Sequence, residues 1–352
     1  MATLPLDGVR ILDLTRAYAG PSATLYLAEL GAQVIKVEAA SRPDLPTRVL
    51  DFADNDPGDA PWERAAFFHR LNVDKLDITL DLTRPEGLGL VKRLVAVSDV
   101  VVENYLPKTM KGFGLHYEAL AELNPQVIMA SMSGFGATGP RSGWASYFPG
   151  MEAMSALTSV TGYPDGNLLN SGTGYGDWSL GAAGAAAILM ALHQRKRTGK
   201  GQRVDVAGRD SLLCHLGEAI LDQAMNDRTW GPQGNRDAAM APHDTYRSTG
   251  SDRWVAIAVR DDTDWRAFCA TLGNPTWTTE ERFADARKRW QNREEMRPLI
   301  ESWTGERQAE DAAQELLAAG VPAAPVLDYG NVLLDPQMRE RGYFEVIEHP
   351  LV

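Results

Sequence analysis

The chain has 352 residues, of which 35 are Lys or Arg and 47 are Asp or Glu, for a net charge of −12. That acidity argues against a general attraction to nucleic acid or to an anionic membrane, so any anionic ligand has to be held locally. Only two cysteines occur, Cys214 and Cys269, each inside an apolar run, which predicts two core thiols in a reducing compartment rather than a disulfide framework.

No basic-then-apolar leader opens the chain, and the longest small-apolar run, Leu180 to Leu192, is too short and too alanine-rich to span a bilayer. A cytoplasmic protein is expected. Val9 to Leu14 reads as a buried strand, Ser22 to Leu30 as a helix stopped by Gly31, and Ala32 to Val37 as a second strand. Such a βαβ unit implies a parallel sheet whose ligand edge lies at the strand C-termini, where Arg16 to Pro21 and Glu38 to Arg48 leave. Pro43 to Arg64 has no period and reads as a surface excursion.

Leu76 to Leu82 alternates as a strand. Thr83 then reads as the cap of a helix over 85–97, with Pro85 in its first turn and Glu86 completing a capping box. Strands over Asp99 to Glu103, Val127 to Ser131 and Arg203 to Val206, with a helix near Tyr117 to Leu123, continue the α/β alternation, and a helix over about 209–225 follows. Residues 226–245 read as a linker or active-site loop. Beyond them a strand at Trp254 to Val259, helices near 262–272, 292–302 and 306–319, and a strand at Pro322 to Val326 suggest a small α+β domain.

The richest stretch is Ser171 to Arg197, where Gly172, Gly174 and Gly176 precede Asp177 and a long small-residue helix. Asp177 reads as the N-cap, its carboxylate kept ionised by free N–H groups and the helix dipole. A carboxylate close to backbone donors can also attack an activated carbonyl, and the residues alone leave both roles open. Asp165 in Tyr163-Pro164-Asp165-Gly166 reads as a plain turn, and Asp210 lies inside a helix. The histidines lack zinc-ligand spacing. Ser133-Gly134 lacks the first glycine of a hydrolase elbow, and Thr15 to Pro21 lacks the dinucleotide fingerprint.

Several segments, in order, resemble the class III coenzyme A transferases, which include formyl-CoA, carnitine and benzylsuccinate CoA-transferases with the alpha-methylacyl-CoA racemases as relatives. The segments are Leu6 to Asp13, Ala19-Gly20-Pro21, Leu30 to Glu38, Asp99 to Tyr105, Gly134 to Pro140 and Thr198 to Asp205. The resemblance places Asp177 on the catalytic aspartate, which would form a mixed anhydride and then an aspartyl-CoA thioester while moving CoA from an acyl-CoA to a free acid. Thioester energy is conserved, so no cofactor, ATP or metal is implied; the CoA thioester is a substrate.

CoA-contacting positions carry over to Ala17, Tyr18, Arg48, Lys75, Asn104 and Tyr105. Lys111 stands near a basic position occupied here by Gly112. The racemase histidine aligns with Tyr147, which favours a transferase. Tyr147, Glu152, Gly176, His243 and Tyr246 are the implied acyl-pocket candidates, Glu152 behind the nucleophile and His243 and Tyr246 in a loop before the small-domain strand.

The fold class expected is α/β, with a large Rossmann-like CoA-binding domain at 1–225 built on a mostly parallel sheet. A smaller α+β domain at 226–328 and a return segment at 329–352 complete it. Relatives usually continue further after His349-Pro350, so either the chain is cut short here or the architecture is trimmed. The resemblance also implies an intertwined homodimer with aromatic or dicarboxylic substrates. The alternatives are a racemase or isomerase, and a non-catalytic CoA-binding subunit of a heteromeric transferase.

Overall fold

The computed structural model describes residues 3–164 and 166–348, so Asp165 and the His349 to Val352 end of the expected return segment lie outside the described residues. The chain divides into two compact units, one through Pro232 and one over Gln233–Glu348.

In the first unit, strands β1 (Arg10–Asp13), β2 (Gln33–Glu38), β3 (Lys75–Thr79), β4 (Val100–Glu103), β5 (Ile128–Ser133) and β6 (Gln202–Ala207) form one parallel sheet in the order β3-β2-β1-β4-β5-β6. Successive side chains of the inner strands enter opposite cores. Ile11, Val100 and Val102 join one, with the Ala19–Glu29 and Tyr175–Thr198 helices; Leu12, Leu14 and Val101 join the other, with Val91 and Val95 of the Pro85–Ala96 helix. Both faces are therefore covered, which is why these strands read as continuous apolar runs. The chain reverses between β1 and β4, and the crevice beyond their C-termini is where such sheets hold ligands.

The Tyr175–Thr198 helix packs on the Ala19–Glu29 helix through small residues. A Cβ at Gly181 would run into the Ser22 hydroxyl, and one at Gly184 would press on Met132. Close approach thus explains the glycine and alanine content of this helix better than mere helix propensity.

Three local expectations fail. Thr83 does not cap: the Pro85–Ala96 helix has Arg84 at its N-cap, and the Thr83 hydroxyl donates to Asp81 at 2.6 Å. The Asp81 carboxylate outcompetes the helix end for that hydroxyl. Cys214 is exposed, because the 209–225 segment breaks into Gly208–Leu213, a 3-10 turn Cys214–Leu216 and Gly217–Asn226; Cys269 is buried. The Pro43 to Arg64 excursion is not wholly superficial, since Asp44 and Thr47 are buried.

The second unit pairs β7 (His243–Arg247), β8 (Trp254–Ala258) and β9 (Ala323–Pro325) in an antiparallel sheet. Helices Asp262–Thr271, Arg293–Thr304 and Ala309–Ala318 close its core around Trp265, Phe268, Phe283, Ile300 and Leu316. His243 and Tyr246 belong to β7 rather than to a loop, and Tyr246 is buried in this core. A core tyrosine has no free face for an acyl group, which corrects that assignment.

Candidate active site

A cavity of about 500 Å³ opens at the crevice between β1 and β4. Ala17, Tyr18, Asn104, Tyr105, Tyr147 and Asp177 all line it, joined by Arg16, Asp44 and Ser133. Six residues picked from scattered parts of the sequence thus meet at one place.

The loop after β1 is held from three sides. Asp13, fully buried, accepts from the Thr15 N–H at 2.8 Å, the Thr24 hydroxyl at 2.6 Å and the Lys75 ammonium at 3.3 Å. Burial opposes that charge, but Lys75 and Lys36 hold the Asp13 carboxyl below the usual range. The Ala17 N–H donates to both Asp44 oxygens, at 3.0 and 2.9 Å, which fixes Ala17 at φ 61°. Asn104 completes the loop by bonding the Arg16 backbone.

Asp177 is not a cap. The helix begins two residues earlier, at Tyr175, with Gly174 at the N-cap in the left-handed region at φ 72°. Glycine adopts that conformation without strain, and a Cβ there would lie 3.3 Å from the Tyr18 ring. Asp177 is therefore the third helical residue, 5% exposed, on the cavity wall. Burial pushes its carboxyl up to about 7; the Phe148 N–H works the other way, and the nearby Glu152 charge adds to the rise. An acid ionised at neutral pH by dipole and cap was expected, but desolvation outweighs both.

Glu152 lies behind the loop with no exposed surface. Its carboxylate accepts from the Ser171 N–H at 2.9 Å, the Ser171 hydroxyl at 2.7 Å and the Gly176 N–H at 3.2 Å. A Cβ at Gly176 would lie 3.2 Å from the Phe148 side chain and 3.4 Å from that of Leu212, a tight fit. Tyr147, 60% exposed, is the N-cap of the Phe148–Met154 helix. Tyr18 meets Trp178 edge-on with centroids 5.1 Å apart and packs near Phe67. Burial chiefly raises its phenol, the Trp178 contact lowers it and the Asp177 charge raises it.

Three cations fall elsewhere. Lys75 donates to Asp13, to the Pro21 carbonyl at 2.8 Å and to Asn72 at 3.0 Å, so its three protons are all used inside the fold. Burial brings its ammonium down to about 8. Arg48 pairs with Glu38 and with Asp77 at 3.3 Å, and its guanidinium covers the Phe68 ring. Lys111 lines a separate cavity with Glu103 and His116. Residues that sequence reasoning missed are Arg16, Asp44, Phe148 and Ser171. Asp44 and Ser171 sit in stretches without periodicity, and Phe148 acts through its backbone, which leaves no mark in the sequence.

A parallel sheet with a switch-point cavity, on whose wall Asp177 has no paired Lys or Arg among the described residues, suits acyl transfer. Residues 6–351 match CoA-transferase family III, and the chain belongs to that family. It is accordingly an enzyme that moves CoA between an acyl-CoA and a carboxylate. It is 34% identical to a succinate–glutarate CoA-transferase of Agrobacterium fabrum, over 96% of this chain and 84% of that one. It is 35% identical to a succinyl-CoA–D-citramalate CoA-transferase of Chloroflexus aurantiacus, over 96% and 82%. The fold is similar to the crystal structure of a CaiB/BaiF family protein from Brucella suis, with a TM-score of 0.89 at 35% identity over 97% of this chain and 89% of that one. No helix among the described residues is long and apolar enough to cross a membrane.

Proposed function

We propose that Asp177 is the nucleophile of a transfer that runs through covalent aspartyl intermediates. Its carboxylate attacks the thioester carbonyl, the C–S bond breaks, and CoA leaves as thiolate while a mixed anhydride forms. The thiolate then attacks the aspartyl carbonyl, releasing the donor acid and leaving an aspartyl-CoA thioester. The acceptor carboxylate attacks that thioester, expelling the thiolate and forming a second anhydride. Thiolate attack on its acceptor-side carbonyl yields the new acyl-CoA and restores Asp177. Charges and bonds balance at each step, so the cycle needs no cofactor, ATP or metal.

The observation that carries this reading is the buried Asp177 carboxylate on the cavity wall. A carboxylate of raised basicity is a stronger nucleophile once ionised. The test is incubation with an acyl-CoA followed by hydroxylamine or borohydride and peptide mass spectrometry. Modification at Asp177 is expected, and an unmodified Asp177 peptide alongside full turnover would sink the covalent route.

Ala17, Tyr18, Asn104 and Tyr105 are proposed to flank the pantetheine arm. Arg16, which also lines an adjoining cavity with Arg42, would face the phosphates. Arg48 and Lys75 are proposed to act through the fold instead. The names of the relatives point to dicarboxylic rather than aromatic acids: besides the two above they include a succinyl-CoA:mesaconate and an acetyl-CoA:oxalate CoA-transferase. A dicarboxylate acceptor is therefore proposed, to be tested by mass spectrometry of exchange against a panel of acids. An intertwined homodimer is proposed as well, supported by Tyr329, Leu334, Val346 and Ile347, apolar residues exposed on the second unit. Light scattering at micromolar concentration tests it.

A further inference from the structure

The Phe148–Met154 helix meets the nucleophile twice. At its start the Phe148 N–H is directed to the Asp177 carboxylate. One turn on, Glu152 holds both ends of the glycine loop that precedes Asp177: Ser171 through its N–H and hydroxyl, and Gly176 through its N–H. The Ser171 hydroxyl in turn accepts from the Tyr175 N–H at 3.3 Å, so the first free donors of the long helix all lead back to one carboxylate. Gly172 and Gly174 lie between these anchors at φ 67° and 72°, a span with little stiffness of its own.

We infer that Glu152 is the positioning residue for Asp177, clamping the Ser171–Gly176 loop so that the helix start presents the nucleophile at one fixed depth in the cavity. All three partners donate, so the clamp calls for an acceptor-only carboxylate. An amide would turn one N–H₂ against a donor. A carboxylate buried beside the nucleophile also costs stability, and simple helix capping would not require it. The charged and titratable side chains that line the cavity with Asp177 are Arg16, Tyr18, Asp44, Tyr105 and Tyr147, and Glu152 lies behind it.

This role rests on Asp177 being the nucleophile, and the test separates the two ideas. Glu152→Gln and Ser171→Ala are compared with wild type in steady-state kinetics and in ¹³C NMR of protein labelled at aspartate Cγ, the Asp177 resonance being assigned from Asp177→Asn. Glu152→Gln is expected to lower kcat by roughly 10- to 100-fold with the KM for acyl-CoA within about twofold, because the Arg16 to Tyr18 and Asn104 to Leu106 parts of the cavity wall belong to other elements. The Asp177 resonance should move and its titration midpoint should fall. Ser171→Ala, which removes one of three donors, should show the same changes more weakly while keeping the fold. A folded Glu152→Gln protein with wild-type kcat and an unmoved Asp177 resonance overturns the clamp. Absence of an Asp177 adduct in wild type overturns the nucleophile instead, and the resonance still reports on the clamp.

Discussion

Asn104 grips the backbone of Arg16 from both sides: its side-chain oxygen accepts from the Arg16 N–H at 2.9 Å and its amide donates to the Arg16 carbonyl at 2.7 Å. This links the end of β4 to the loop after β1 across the point where the sheet order reverses. Asn104 thus spends its polar atoms on shaping the cavity wall. Asn104→Asp keeps the acceptor but sets an oxygen against the Arg16 carbonyl. We expect it to raise the KM for acyl-CoA about tenfold, the cost of one broken and one repulsive contact, with a smaller change in kcat. Initial-rate kinetics at varied acyl-CoA checks this.

Asp177→Asn should abolish exchange and make the protein more stable. The carboxyl moves from 3.8 to about 7 on folding, so between those values the folded state binds more protons than the unfolded one. Stability therefore falls as pH rises from about 4 to about 7 and levels off above. The amide removes the buried charge. At pH 8 we expect a gain on the order of 1–2 kcal/mol, below the ceiling of about 1.4 kcal/mol per pKa unit because water in the cavity screens the charge. Calorimetry at pH 8 and pH 4 tests it, since the advantage should vanish at the lower pH.

The same ionisation should shape the rate profile. For the free enzyme, kcat/KM is expected to drop about tenfold per pH unit below an acid limb near 7. A limb near 4 would show that Asp177 is far better solvated than its 5% exposure implies.

Lys75→Met should act on stability rather than on CoA. It leaves Asp13 buried and facing only hydroxyl, backbone and Lys36 partners, and breaking a buried pair this way costs about 3–5 kcal/mol. The KM for acyl-CoA of the folded fraction should stay within about twofold. A large KM rise at unchanged melting temperature would return Lys75 to the binding site.

The parallel sheet was legible because strands buried on both faces leave runs such as Val100-Val101-Val102, and Gly31 and Gly199 mark helix ends in the left-handed region. The cavity was half legible: Ala17, Tyr18, Asn104, Tyr105 and Asp177 stood out through the family resemblance. What failed did so because one side chain was claimed by a partner distant in sequence or unseen in pattern. Lys75 reads as a free cation until Asp13, 62 positions away, is brought beside it. Thr83 reads as a cap until Asp81 takes its hydroxyl. Asp177 reads as a cap because nothing in Ser171-Gly172-Thr173-Gly174 announces that Gly174 turns left-handed and starts the helix early.

The close seating of the Tyr175–Thr198 helix on the Ala19–Glu29 helix joins segments about 150 residues apart in the chain. A ribosome must therefore have emitted most of the first unit before Asp177 has a surface to dock on, and this late, long-range closure governs when the cavity comes into being. During refolding, exchange activity should lag behind the return of helical signal, making catalysis itself a clock for the last step of assembly.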